Sequence, residues 1–277
     1  MTPVTPLIPN PRSLIPGPGL IPNPKSLVAG LANAVLAAVL APACAVCDVA
    51  LDRPMEGCVC QACWRSILPI TPPICDRCGD PIARQNQSLI PNPQSLCSQC
   101  HAGASAVSRA RAVGEYEGTL REIIHALKYS GRHSLARPIA EQMRQRGSEL
   151  LEEADCVVPV PLHWRREYQR GFNQAREIAR HLGLPVVDAL VRRRATRAQV
   201  ELAADRRRAN VEGAFGLRRR PFRPSDVTGY RVALVDDVST TGATLEACAR
   251  VLKAGGASQV YALTAARVVT RRRAGQV

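Results

Sequence analysis

Residues Arg231 to Leu245 read RVALVDDVSTTGATL. A short continuous apolar run of this kind is a buried strand, and the alternation of such runs with helical patterns predicts a parallel α/β sheet. Two adjacent carboxylates follow the strand, then Ser239, Thr240, Thr241, Gly242 and Thr244 at the start of a predicted helix. In open α/β sheets ligands bind beyond the carboxyl ends of the strands. There the helix offers unpaired N–H groups and a positive dipole end, and the hydroxyls and glycine complete a phosphate cradle. Asp236 and Asp237 would repel a phosphate, so they suit the hydroxyls of a sugar. A diol site followed by a phosphate site describes a ribose 5-phosphate. A capped helix alone needs one Ser, Thr or Asp, not two acids and a hydroxyl run.

The rest of the chain repeats the alternation. ARAVGEYEG reads as strand and turn, TLREIIHALKYS as a helix, and CVVPVPL as a strand. NQAREIARHLG is a helix, ATLEACARVLKAGG a helix ended by glycines, and SQVYALTAARVV a last strand. Net charge is +14, which points to an anionic partner, while aromatic content of 4% weakens a base-stacking nucleic-acid reading.

Nine of eleven cysteines fall between Cys44 and Cys100. Eight form four C-x-x-C pairs: Cys44/Cys47, Cys60/Cys63, Cys75/Cys78 and Cys97/Cys100. This spacing predicts two Cys₄ zinc sites and a reducing, cytoplasmic setting. Pairs one with two and three with four is one assignment; one with three and two with four is the other. Cys58 is a spare thiol able to compete with Cys60. Cys156 and Cys248 sit in apolar segments and read as core. The stretch from Leu27 to Cys44 is apolar, but cleavage of an export signal there would cut into the first knuckle. With Leu27, Leu31, Val35 and Val39 at helical spacing, it predicts a helix packed on its own protein, with no membrane insertion.

LIPNPRSL at Leu7–Leu14 recurs as LIPNPKSL at Leu20–Leu27 and LIPNPQSL at Leu89–Leu96. Two prolines per copy disfavour regular structure. The expected organisation is a low-complexity leader over 1–27, a helix with a double zinc ribbon over 28–104 carrying a repeat insertion at 85–96, and an α/β domain over 105–277.

VALVDDVSTTGAT resembles the phosphoribosyl-diphosphate (PRPP) motif of type I phosphoribosyltransferases. HALKYSGR, VPVPLHWRREYQRGFNQA and RRRATRAQVELAADRRRANVEGAF, in that order behind cysteine pairs, resemble the ComF family, which includes GntX-like proteins. The resemblance implies a type I phosphoribosyltransferase-like parallel sheet with flanking helices behind the zinc module. It also implies PRPP as a small-molecule substrate, displacement at ribose C1 with Mg²⁺, and a diphosphate loop at His163 to Asn173. In that loop Arg165, Arg170, Gly171 and Asn173 would bind PRPP, with Arg166 and Gln174 beside them. Asp236, Asp237 and Arg170 are the expected catalytic set. Thr196, Gln199, Arg206 and Asn210 fall on the family's flexible loop, with Lys128 and Arg132 as further contacts. No residue stands out as a general base, so the acceptor is open. The alternative that the family implies is a non-catalytic factor handling single-stranded DNA in natural transformation, together with other competence proteins. Eleven arginines against three acids between Val191 and Arg223 fit that partner.

Overall fold

A computed structural model describes residues 24–82, 96–194, 213–218 and 227–269. Four strands form one parallel sheet: β1 (Arg109–Glu115), β2 (Cys156–Pro159), β5 (Arg231–Ser239) and β6 (Gln259–Arg267), in the order β1-β6-β5-β2. A two-stranded antiparallel sheet, β3 (Leu190–Arg192) with β4 (Phe215–Leu217), lies outside it.

Burial explains the apolar run in β5. Alternate side chains enter two cores, one on each face. Ala233 and Val235 join helices α4 (Gly118–Tyr129), α5 (Ala136–Arg146), α6 (Ser148–Glu153) and α8 (Gln174–Ala179) on one side. Val232 and Leu234 join α9 (Ala243–Ala254) and the β3–β4 pair on the other. Cys156 and Cys248 are fully buried in this second core. The buried helix that follows β2, α8, thus lies on one face and the helix after the adjacent β5 on the other. Neighbouring strands whose chains leave in opposite directions open a crevice at their carboxyl ends, the place where such sheets bind ligands.

Two local expectations change. β5 does not stop at Val235: it stays paired with β6 through Ser239, while β2 ends at Pro159 opposite Val235. The carboxylates therefore stand on a strand that outruns its β2 neighbour. The segment after β2 is not an open loop but a short helix, α7 (Trp164–Arg170). His163 caps it, its Nδ1 accepting the Arg165 N–H at 3.4 Å, and Gly171 ends it with a φ of 77°.

The cysteine region docks on the edge strand β1 and at the carboxyl end of β6. It carries short helices α2 (Gln61–Arg65) and α3 (Ser98–His101), and the Glu115 N–H donates to the Leu68 carbonyl at 2.9 Å. Cys44, Leu51, Val59 and Cys63 enter the same core as α4. The amino-terminal helix α1 (Pro24–Leu40) forms as expected, starting inside the second repeat copy, but the described part of its aliphatic stripe does not pack. Leu31, Val35 and Val39 are exposed; the buried position is Asn33, whose Oδ1 accepts the Met55 N–H at 3.0 Å. Anchoring through that hydrogen bond turns the aliphatic row outward. No helix among the described residues is long and apolar enough to cross a membrane.

Gly79 permits the docking. A Cβ there would lie 2.7 Å from the Ala110 carbonyl oxygen in β1, and its φ of 76° already disfavours a side chain. Gly79→Ala should cost on the order of 1–3 kcal/mol in chemical denaturation. The loss should concentrate in the cysteine module, read as earlier proteolysis there than in the sheet.

Candidate functional site

The crevice beyond β2 and β5 holds a pocket lined by Asp236, Val238, Ser239, Thr240, Gly242, Ala243, Thr244 and Leu245. The expected carboxylate and most of the expected hydroxyl run thus share one concavity. Thr241 is the exception, turned to solvent outside that lining. Gly242 adopts a φ of 75° at the start of α9 and no side chain caps that helix. Glu246, the acid of its first turn, is occupied elsewhere, accepting from the Ser105 hydroxyl at 2.6 Å and the Ala106 N–H at 3.1 Å. A helix leaves its first N–H groups without intrahelical partners, and α9 starts at the pocket, whose lining includes Gly242, Ala243 and Thr244. A Cβ on Gly242 would meet nothing within 4 Å, so the dihedral, not close approach, demands glycine there.

Strand alternation divides the carboxylate pair. Asp236 lies on the α9 face and lines the pocket; Asp237 lies on the α4 face, nearly buried. Lys128, from the end of α4, brings its Nζ to 3.1 Å from Asp237 Oδ2. The two form a buried ion pair. Burial works against the Lys128 ammonium, but the Asp237 charge overrides it and raises its pKa. Asp236 accepts the Asp237 N–H at 2.9 Å through Oδ1. Burial, with the Asp237 charge next, pushes the Asp236 carboxyl up to about 7. A carboxylate poised there, with acceptor capacity left for a hydroxyl or cation, suits a ligand that brings positive charge or donors.

On the β2 side, Arg165 stacks on Trp164 with the guanidinium carbon 5.2 Å from the ring centroid. Arg170 stands 5.0 Å over Tyr129 and donates to its hydroxyl at 3.2 Å and to Gln174 Oε1 at 3.1 Å. Asn173 is committed to the fold. It caps α8 by accepting from the Ala175 and Arg176 N–H groups, and donates to the Val160 carbonyl at 3.1 Å. Burial, then the charges of Arg192, Arg165 and Arg166, lowers the His163 pKa, in keeping with its Nδ1 acting as acceptor. Arg132 is exposed on the turn after α4. Thr196, Gln199, Arg206 and Asn210 lie outside the described residues.

The cysteines resolve the pairing left open by the sequence. Cys44, Cys47, Cys60 and Cys63 form one cluster and Cys75, Cys78, Cys97 and Cys100 the other, each with its sulfurs within 4.8 Å of one another. The Sγ–Sγ separations of 3.9 Å (Cys44–Cys63), 3.7 Å (Cys47–Cys60) and 3.7 Å (Cys78–Cys97) fit the edge of a tetrahedron around zinc, about 3.8 Å for a 2.3 Å Zn–S bond. Backbone N–H groups of Cys60 and Cys97 point at Cys44 Sγ and Cys75 Sγ, at 3.3 and 3.4 Å. Burial alone would raise these two thiols; backbone donors outweigh it and bring Cys44 to about 6 and Cys75 to about 7. Thiolates stabilised in this way are prepared for metal. Cys58 stands outside both clusters, its Sγ 3.8 Å from the Ser134 hydroxyl.

The fold and site define a phosphoribosyltransferase-type domain joined to a double zinc ribbon. Family models agree: the double zinc ribbon domain matches residues 35–101 and the phosphoribosyl transferase domain residues 168–276. The chain is 31% identical over 227 residues to the DNA utilization protein YhgH of Salmonella typhimurium, covering 78% of this chain and 93% of that protein. It is 28% identical over 212 residues to competence protein F of Haemophilus influenzae, covering 73% and 87%. Competence protein ComFC of Bacillus subtilis is 28% identical over 214 residues, covering 74% and 82%. The chain belongs to the ComF family, to which these proteins belong.

Elemental analysis should find close to two zinc ions per chain, and metal-free protein with an intact cysteine module would contradict this. A second expectation follows from Asp236. Its folded pKa of about 7 lies above the ordinary 3.8, so its contribution to stability is present at low pH and is lost as pH rises through 7. Asp236→Asn should therefore melt a few degrees above the parent protein near pH 8, and the gap should close toward pH 4.

Proposed function

We propose that the pocket binds PRPP, and that the chain is built for displacement at the ribose anomeric carbon, with diphosphate leaving as positive charge grows on the ring. One observation carries this reading: a single pocket joins the Asp236 carboxylate to Ser239, Thr240 and Thr244 and to the start of α9. The 5-phosphate would sit on the hydroxyls and helix amides, and the ribose hydroxyls on Asp236. Lys128 and Asp237 would set the charge beneath them, and Arg170 would face the diphosphate beyond β2. Asp236, with a raised pKa and oxygen to spare, fits a Mg²⁺ ligand. The ion would neutralise diphosphate charge when bound, keeping most of its own waters. The entering group is left open, and the natural setting is DNA uptake or nucleotide metabolism.

Calorimetry with Mg²⁺ and PRPP tests the reading. Asp236→Asn should lower affinity at least about tenfold, since hydrogen bonds to charged groups are worth roughly 1.5–3 kcal/mol. Binding should also strengthen from pH 6 to 8 as Asp236 ionises. Parent protein that takes up neither PRPP nor ribose 5-phosphate would refute the reading.

A second reading, handling of single-stranded DNA alongside other competence proteins, is favoured by an exposed surface. Trp164, Tyr168 and Tyr129 are 65%, 87% and 67% exposed in a chain with few aromatics, and Arg165 and Arg170 stack on two of them. Rings alternating with arginines are a stacking platform on a basic track. The names of the relatives, competence proteins and a DNA utilization protein, agree with it. Trp164→Ala with Tyr168→Ala should weaken oligonucleotide binding about fivefold or more, at roughly 1–3 kcal/mol per stacked base, and Trp164→Phe with Tyr168→Phe should restore it. Fluorescence anisotropy decides; equal affinity in the alanine variant removes this surface from the account.

A further inference from the structure

The zinc module and the pocket meet at one buried arginine. Arg267 is the last residue of β6, and its side chain is 8% exposed. Its guanidinium grips the Asp80 carboxylate in two places, Nε on Oδ1 and Nη2 on Oδ2, the latter at 2.8 Å. Its remaining nitrogen, Nη1, donates to the Ser239 hydroxyl at 3.3 Å. The planar fork is thus used on both sides, toward the zinc module and toward the pocket. Asp80 belongs to the third C-x-x-C knuckle, in the second cysteine cluster: it lies two residues past Cys78, and its carbonyl accepts the Cys75 N–H at 2.7 Å. Ser239 is the first hydroxyl of the pocket loop and sits opposite Arg267 in the β5–β6 register. Leaving a buried guanidinium without its carboxylate is costly, so Arg267 holds its place only while Asp80 holds its own.

We propose that Arg267 is a positioning residue through which the second zinc cluster holds the pocket loop. With Cys75 and Cys78 fixed, Asp80 is fixed, the fork is aimed, and the Ser239 hydroxyl is held at the pocket wall. Disturbing the knuckle then lowers affinity for the phosphate-bearing ligand, although no cysteine lines the pocket. The identity of that ligand rests on the PRPP reading; the coupling itself does not.

The test is a double-mutant cycle on the full, zinc-loaded chain, with zinc content checked for every variant. Asp80 and Ser239 are joined through Arg267, so a coupling between them reports transmission. Asp80→Asn should weaken ribose 5-phosphate binding about three- to tenfold in the parent background and less than about twofold with Ser239→Ala present. Arg267→Lys keeps the charge but not the fork, leaves Asp80 and its cysteines untouched, and should reproduce the loss. Amide hydrogen exchange over residues 239–244 is measured in the same proteins, and Asp80→Asn and Arg267→Lys should both speed it. Additive effects of Asp80→Asn and Ser239→Ala, or exchange unchanged in both variants, would overturn the proposal. If the parent protein binds neither ribose 5-phosphate nor PRPP, the ligand assignment falls while the exchange measurement still decides the coupling.

Discussion

Everything in the carboxyl-terminal domain is arranged around β5, a strand buried on both faces. Its two faces feed two cores, and its neighbours β6 and β2 hold it by parallel hydrogen bonds. Because β2 ends four residues earlier in the shared register, the last four residues of β5 have a paired side toward β6 and an open side beyond the end of β2. That open side is the crevice. A strand solvated on one face could not have produced it, since helices must cover both faces for the chain to leave neighbouring strands in opposite directions.

The same geometry gives the two aspartates different work. A strand sends successive side chains to opposite faces, so adjacent acids cannot share one environment until the strand ends. β5 remains a strand through Ser239, and Asp237 is therefore captured by Lys128 while Asp236 faces the pocket. The Asp237 charge adds to the burial that raises the Asp236 pKa, so the buried ion pair and the poised carboxylate form one electrostatic unit. The other end of the pocket is built by backbone: a left-handed Gly242 breaks the chain direction, α9 begins with no side-chain cap, and its acidic Glu246 is drawn off toward Ser105 and Ala106.

The zinc ribbons contribute more than a local fold. The first cluster shares a core with α4, whose last turn carries Lys128, and the second reaches Ser239 through Asp80 and Arg267. Sulfur positions already matched to a tetrahedron, with backbone donors on the thiols, make metal the natural organiser of both contacts. The module therefore meets the transferase-like domain at α4 and at Arg267.

Much of this was legible in the residues. The apolar run, the acid pair, the hydroxyl run and four C-x-x-C spacings are local patterns, and local patterns carry strand, helix-start and metal-knuckle chemistry without knowledge of the rest. The aromatics of HWRREYQR were legible too, but an average over the chain hid them; only their exposure on α7 revealed the cluster. Three things were decided by tertiary structure. Cysteine pairing depends on which knuckles lie side by side. The outward turn of Leu31, Val35 and Val39 depends on the Asn33 contact with Met55. The assignments of Asp237 to Lys128 and of Arg267 to Asp80 and Ser239 join residues far apart in the chain. Sequence determines what each segment can be, because dihedral preference and side-chain chemistry are local; partners are set by packing, which brings together residues that no spacing rule connects.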